Sequence, residues 1–294
     1  MELIELVKEL RAKTGAGMID CKKALTESKG DMEKAIDWLR EKGIAKSASK
    51  EGRVAAEGLA QIKIAGDKAI IVELNSETDF VAENDRFKSA MRLICDALLD
   101  AGITDVDSAL KVQTPEGPIS QLITNLTLAI GEKITLRRFE VVTKSPEQLF
   151  GSYIHRKDGK GATDGGHIAA LAIVETKDPE VAKDVAMQVA SMNPTYVDRA
   201  SMPAEIVQHE KDVQVEISKN DPNFAKKPAK IQESIISGRV SKALEDLSLV
   251  DQVYFRDGQT KMSQWLKDKN AKVVRFIRYG VGEGIAKDQP SCGC

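Results

Sequence analysis

AIIVELNSETDFVAEND, residues 69–85, marks a change from strand to helix on which the fold assignment depends. Its first four residues are apolar and predict a buried strand, and a helical pattern begins near Asn84. Between them stands Phe80, preceded by Asp79, in a chain of which only 4% is aromatic. The position of this single aromatic residue in an acidic turn therefore needs an explanation.

Two interpretations of the turn are open on the residues alone. In the first, Thr78 or Asp79 caps a helix and Phe80 is its hydrophobic staple. In the second, a rigid strand end presents Phe80 to a partner, because aromatic side chains with few rotatable bonds are favoured as interface anchors. A carboxylate beside such an anchor could also compete for, or repel, groups near a bound nucleotide and its magnesium.

The same strand–turn–helix pattern recurs in AALAIVETKDPEVAKD, residues 169–184. There Asp178-Pro179-Glu180 replaces Asp79-Phe80-Val81, so the fold itself does not require the aromatic residue. The sequence predicts an internal duplication. The second copy is predicted to contain strands at Gly151–His155 and His167–Glu175, a helix opening at Asp178-Pro179 and a strand at Val273–Val281.

The first copy is predicted to begin with two strands that meet at a Gly66-Asp67 turn. Two helices follow, of which one ends by Gly102 and the other at Gly131. A strand over Ile134–Val142 then completes the copy.

Residues 1–45 are predicted to form three short helices in an arrangement that resembles a ubiquitin-associated (UBA-like) bundle. The first helix should stop at residues 14–17, and Asp31 is a plausible N-cap of the third. Met18 and Ile19 beside the glycine-rich turn suit a small apolar docking patch, although a place in the bundle core is the alternative. A polar linker is expected to follow.

The predicted fold class is α+β. It comprises the UBA-like three-helix unit, a duplicated strand–helix core with antiparallel sheets, and a projecting antiparallel helical hairpin. The two helices of this hairpin flank residues 220–223. The expected domains are residues 1–45 (helical unit that binds a partner), 46–53 (linker), 54–143 (first core subdomain), 144–200 with 247–281 (second core subdomain), 201–246 (hairpin or coiled coil) and 282–294 (C-terminal module and disordered tail).

Composition excludes several classes of protein. The net charge of −2 does not suggest a nucleic-acid binder, whose footprint is a strongly basic domain. Neither a signal peptide nor an apolar run of about 20 residues is present, which favours a soluble intracellular protein. Cys21, Cys95, Cys292 and Cys294 lack zinc-type spacing and are expected to be free thiols.

Catalytic signals are weak throughout the chain. The glycine-rich segment 158–166 lacks the Gly-Lys-Ser/Thr that opens a phosphate-binding helix, and residues 280–284 (GVGEG) fit a turn after a strand. His155 and His167 could meet across a hairpin, but no third metal ligand accompanies them, and His209 lies apart. We therefore expect neither a catalytic centre nor a metal site.

Two motifs closely resemble the sequence signatures of the bacterial elongation factor Ts family. They are LRAKTGAGMIDCKKAL (residues 10–25) and ELNSETDFVAEN (residues 73–84), and FIRYGVGEGIAK (residues 276–287) also looks like the family. The resemblance implies a guanine-nucleotide exchange factor for elongation factor Tu, the GTPase that delivers aminoacyl-tRNA to the ribosome. It covers the N-terminal unit, the duplicated core, the hairpin and the C-terminal segment.

The resemblance also implies roles for particular residues. The loop of Thr78, Asp79, Phe80 and Val81 would enter the switch region and magnesium site of the GTPase, with Phe80 as a wedge and Asp79 perturbing magnesium contacts. The family-matched contacts of the N-terminal unit would be Arg11, Met18 and Ile19. Further contacts are expected at His155, Gly282 and Glu283, although the loop 156–166 is longer than in the shorter family forms.

The resemblance implies no bound cofactor, no membrane and no direct contact with nucleic acid. It allows a dimer of two factor–GTPase heterodimers and a cytoplasmic location. The alternative from a different class is a non-catalytic UBA-like scaffold whose core is inert.

Overall fold

The computed structural model describes residues 3–14, 16–156, 164–221 and 223–286. Helices and sheets are mixed, which confirms the α+β class. None of the described helices is both long and apolar enough to cross a bilayer. Most of the predicted glycine-rich loop (157–163) and the C-terminal tail (287–294), with Cys292 and Cys294, lie outside the described residues.

Three helices open the chain, and their apolar faces share a small core that includes Leu10, Cys21 and Leu25. The third helix is capped as expected, since the Lys34 N–H donates to Asp31 Oδ1 at 3.2 Å. It extends further than predicted, so the first three residues of the expected linker are helical. The bounds are α1 (Leu3–Thr14), α2 (Met18–Glu27) and α3 (Met32–Ala48).

The first sheet begins with a β-hairpin, as predicted. Gly66 has a φ of +62°, which the two-residue turn between the strands requires and which glycine adopts without steric cost. The second strand is almost wholly buried, consistent with its apolar run. The strands are β1 (Glu57–Ala65) and β2 (Lys68–Ser76), paired antiparallel.

The chain then covers one face of this sheet with helices before returning as its third strand. Phe87, Met91 and Ile94 pack with Ile70 and Leu74 in one core. The sheet order is β1-β2-β5. The elements are α4 (Asp85–Leu99), α5 (Val106–Ala109), β3 (Gln113–Thr114), β4 (Gly117–Pro118), α6 (Ile119–Ile130), against which α3 packs, and β5 (Thr135–Thr143), antiparallel to β2.

The second sheet has the order β6-β7-β8, so its middle strand is again the second in sequence. The internal duplication itself stays a prediction. Asp178 caps the following helix by accepting from the Glu180 N–H at 3.0 Å. The elements are β6 (Gln148–His155), β7 (Ile168–Glu175), α7 (Pro179–Met192), α8 (Ala204–Lys219), α9 (Ala229–Leu247), α10 (Met262–Asp268) and β8 (Lys272–Gly280).

The described residues form two compact units. The first contains those up to Thr143, those of Ile154–Ala169 and those from Tyr279 onward; the second contains Lys144–Tyr153 and Ala170–Arg278. In the second unit α8 and α9 pack against each other. Whether they form a projecting hairpin, and where the functional domains begin and end, stay predictions. The candidate site lies in the first unit.

Candidate functional site

Phe80 lies on a short 3-10 helix, Asp79–Glu83, which connects β2 to α4. Its side chain is 85% exposed, whereas that of Val81 is only 5% exposed and belongs to the core under the sheet. The helix-staple interpretation is therefore wrong. Thr78 makes no capping side-chain bond, and the cap of α4 is Asn84, whose Oδ1 accepts from the Arg86 N–H at 2.9 Å.

The direction of Phe80 follows from its neighbours. Val81 and Ala82 are both buried and belong to the core under β1 and β2. Because these two apolar residues occupy the inward positions of the 3-10 turn, the residue before them is left on the outside. Val81 thus differs from its predicted role, since its side chain holds the turn down instead of lying on the surface.

Asp79 is exposed beside Phe80. Among the described residues its carboxylate has neither a hydrogen-bond partner nor an ion-pair partner. An anionic group and an aromatic ring are therefore neighbours on the surface of the described part of the chain.

The loop that follows α6 holds the start of this turn. Glu132 accepts from the Thr78 N–H at 2.9 Å and from its hydroxyl at 2.7 Å. In the opposite direction, the Lys133 N–H donates to Glu77 Oε1 at 2.6 Å. Each loop thus supplies a carboxylate to the backbone of the other, and we call this pair of contacts the Glu77–Glu132 clamp.

Basic residues hold the end of the turn. Glu83 accepts from Lys88 at 2.9 Å and from Arg156 at 2.6 Å. The hydrogen bond from Lys88, followed by the Arg156 charge, outweighs slight desolvation and lowers the pKa of Glu83. Arg156 is nearly buried, so the far end of the turn is fixed to the segment that follows β6.

A cavity of about 240 Å³ lies beside Phe80. Gly166 brings the segment after β6 to this place by pairing with Ala60 through two backbone hydrogen bonds, of 2.8 and 2.9 Å. The resulting wall is mixed in character, since two acids, an arginine and apolar side chains line it. The lining residues are Leu59, Asp79, Phe80, Glu83, Arg156, Gly166 and His167.

Glu73, in the strand before the turn, is fully buried. Its carboxylate accepts from Arg137 (2.9 Å), Arg138 (2.6 Å), Asn75 (3.2 Å) and the Gly282 N–H (2.8 Å). Burial alone would raise the pKa of Glu73, but these bonds favour the charged form and lower it. The acid is an internal tie between β2, β5 and the turn after β8.

That tie corrects the prediction for Gly282, which is buried and structural. Its φ is +75°, and an added Cβ would lie 2.0 Å from the Ala56 carbonyl oxygen. Glu283, next in the chain, is exposed, and so is His155. The His155 carbonyl accepts from the His167 N–H at 2.8 Å, so the two histidines meet through their backbones.

The other predicted contacts lie on the N-terminal helices. Met18 and Ile19 are 52% and 72% exposed, so their alternative place in the bundle core is wrong. Arg11 is exposed near the end of α1. None of the three lines the cavity beside Phe80, so the structure presents them as a second surface.

Metal and thiol chemistry have little support in the described part of the chain. No group of three or more histidine, cysteine or acidic side chains there could hold a metal ion. Cys21 and Cys95 are free and buried, as predicted for those two. Burial raises the pKa of the Cys95 thiol to about 12, which leaves it unreactive at neutral pH.

Sequence reasoning missed three residues of this site: Glu73, Glu132 and Arg156. An acid between apolar residues of a predicted buried strand was a signal for Glu73, because a buried charge needs partners. Nothing local points to Glu132 or Arg156, which meet the turn only through long-range contacts.

Comparison with known proteins identifies relatives of the chain. The family model described as Elongation factor TS matches residues 77–283. Proteins named elongation factor Ts are similar over 96% of this chain: that of Lactiplantibacillus plantarum is 48% identical, with 92% of its own length covered. That of Pediococcus pentosaceus is 49% identical and that of Lacticaseibacillus casei 47%, each with 93% of its length covered.

Proposed function

The chain belongs to the elongation factor Ts family of translation factors, and on that premise we propose that it binds elongation factor Tu and promotes release of its GDP. The observation that carries the proposal is the exposed Phe80 beside an exposed Asp79 on a turn that is held at both ends. The factor stays bound until GTP loads.

Exchange of this kind needs no covalent chemistry. An exchange factor must bind the nucleotide-free GTPase more tightly than the loaded one, and by linkage each ligand weakens the other by the same factor. The complex of factor, GTPase and nucleotide can then lose either the nucleotide or the factor. An excess of GTP determines which nucleotide the GTPase finally holds. The protein is accordingly a nucleotide exchange factor without an active site, and it needs no cofactor of its own.

In this mechanism Phe80 is the wedge. An aromatic ring that is largely exposed before binding gains the most apolar burial when it enters a pocket on the GTPase. Asp79 brings negative charge to the same place, where it disturbs magnesium and switch contacts that hold the nucleotide. Val81 and Thr78 contribute by fixing the turn, because one is buried and the other is bonded to Glu132.

The N-terminal helices are the docking module in this account, with a UBA-like arrangement. Met18 and Ile19 form an apolar patch on α2, and exposed apolar residues next to each other are typical of protein contacts. Arg11 supplies a charge from α1. Further contacts are assigned to the exposed His155 and Glu283.

The remaining assignments follow the same premise. We assign docking to residues 1–45, the wedge to 54–143, a second contact surface to 144–200 with 247–281, and an antiparallel hairpin to 201–246. That hairpin is a candidate for pairing two factor–GTPase heterodimers. The protein acts in the cytoplasm without direct contact with nucleic acid, in keeping with its net charge of −2.

The test is release of a fluorescent GDP analogue from elongation factor Tu, with and without this protein at substoichiometric amounts. The proposal expects strong acceleration with multiple turnovers. A UBA-like scaffold with an inert core would leave the release rate unchanged, and that result would reject the exchange function.

A further inference from the structure

We propose that Glu132 is a positioning residue for the wedge: it sets the direction of Phe80 and Asp79 through Thr78 and does not itself touch the partner. This inference rests on the exchange function proposed above. Both oxygens of the Glu132 carboxylate bond to one residue, Thr78, which directly precedes Asp79.

The position of Glu132 is itself well determined. It follows Gly131, which ends α6 in the left-handed conformation with a φ of +89°. The adjacent Lys133 N–H donates to Glu77, and the Lys133 ammonium donates to the backbone carbonyls of Glu51 (2.5 Å) and Arg53 (2.9 Å). The carboxylate therefore projects from a loop that two neighbouring segments, Glu77 directly after β2 and residues 51–53, hold in place.

Thr78 needs such a partner. At the N-terminus of a 3-10 helix the first N–H groups have no partner within the helix, and the Thr78 side chain caps nothing there. Without Glu132 the N–H and hydroxyl of Thr78 would bond to water instead. Thr78 would keep only part of its support, because its carbonyl also accepts from the hydroxyl of the buried Ser76 at 2.9 Å. Its released N–H and hydroxyl would give the residue new freedom, which would move Asp79 and Phe80 together, because the burial of Val81 holds the residues that follow.

A wedge that moves before binding must be ordered during binding, which costs affinity and association rate. A wedge held by two charge-assisted hydrogen bonds has lost this freedom already. Glu132 therefore contributes to exchange although it lies outside the signature of residues 73–84, at 52 positions after Phe80 in the sequence.

The matched variants Glu132→Ala and Glu132→Gln separate positioning from charge. Glutamine can accept from the Thr78 N–H through its oxygen and donate its amide to the Thr78 hydroxyl oxygen, so the geometry survives while the charge is lost. Alanine removes both bonds. Glu116→Ala is the control, since Glu116 is an exposed acid of the same unit whose side chain bonds to none of the described residues.

The experiment measures stimulated release of a fluorescent GDP analogue from elongation factor Tu. We expect Glu132→Ala to lower the apparent kcat/KM about tenfold, an effect of ~1.4 kcal/mol. The apparent kcat/KM of Glu132→Gln should stay within about twofold of that of the original protein. The apparent kcat/KM of Glu116→Ala should equal that of the original protein. In a Phe80→Ala background, Glu132→Ala should have almost no further effect, because it acts through the turn.

Amide hydrogen exchange on the protein without its partner tests the contact independently of function. Glu132→Ala should speed exchange at the Thr78 N–H, which loses its acceptor, while the midpoint of thermal unfolding stays close to that of Glu116→Ala. If Phe80→Ala has no effect on GDP release, the wedge itself is rejected. If Phe80→Ala is impaired while Glu132→Ala is normal, only the positioning role is rejected; equal impairment in Glu132→Gln, or full additivity with Phe80→Ala, would also reject it.

Discussion

Phe80 and Val81 are consecutive residues with opposite environments: the phenyl ring is 85% exposed and the valine 5% exposed. Folding alone explains the burial of Val81, because this side chain belongs to the apolar core under the sheet. It does not explain the phenylalanine, since leaving a large apolar side chain in water forgoes roughly 2 kcal/mol of burial. The arrangement makes sense if the missing burial occurs when a partner binds.

Asp79→Asn should reduce stimulated GDP release at millimolar magnesium and have little effect once magnesium is chelated. The reason is that a carboxylate acting against the magnesium site has nothing to disturb when the metal is gone. Release rates measured with and without a chelator, beside the exposed control Asp85→Asn, check this. An equal deficit in both conditions would mean that Asp79 acts in another way.

The buried Glu73 should make stability depend on acid pH. Its folded pKa is lowered by the bonds from Gly282, Arg137 and Arg138, which outweigh desolvation. The associated stability is therefore complete above the unfolded value of about 4.3 and is lost as the pH falls through the lower folded value.

Urea unfolding between pH 7 and pH 3 measures this dependence. Glu73→Gln should cost about 3 kcal/mol at neutral pH, because it leaves two arginines without their carboxylate, and it should flatten the acid-side slope. The exposed Glu116→Gln should do neither. A steep slope that survives in Glu73→Gln would assign the pH dependence to other groups.

Gly282→Ala and Gly284→Ala form a matched pair. Both glycines have a positive φ, of +75° and +79°, so backbone strain of ~1 kcal/mol is common to both. Only at Gly282 would the new Cβ collide with backbone, 2.0 Å from the Ala56 carbonyl oxygen, whereas at Gly284 the nearest atom is 3.8 Å away. Chemical denaturation should show the larger loss for Gly282→Ala, and equal losses would contradict a structural role for that turn.

The double variant Met18→Ser/Ile19→Ser should weaken binding to elongation factor Tu at least about tenfold without lowering the unfolding midpoint. Both side chains are largely exposed, so the fold gains little from them, while a partner that covers them gains their burial. Titration calorimetry gives the affinity. Ile64→Ser, at another exposed isoleucine of the same unit, is the control; unchanged affinity in the double variant would remove α2 from the interface.

The sequence was sufficient for the features that local chemistry controls. The Gly66-Asp67 turn, the Asp31 and Asp178 caps and the end of α6 at Gly131 appear where predicted, because each depends on one or two neighbouring residues.

Long-range contacts could not be predicted from the sequence. The clamp between Glu77 and Glu132 and the bonds from Gly282 and Arg137 to Glu73 join segments far apart in the chain. The burial of Gly282 was not predictable for the same reason, because exposed turns and buried turns look alike in a glycine-rich sequence. Phe80 was ambiguous because a staple and a wedge have the same local sequence, and only its exposure separates them.

The most direct test of the account is stimulated GDP release from elongation factor Tu by Phe80→Ala, compared with Val81→Ala at equal concentration. We predict that Phe80→Ala keeps its unfolding midpoint and loses most of the acceleration at every concentration. Val81→Ala should lose ~2 kcal/mol of stability because it leaves a cavity in the core. Full acceleration by a folded Phe80→Ala would contradict the wedge.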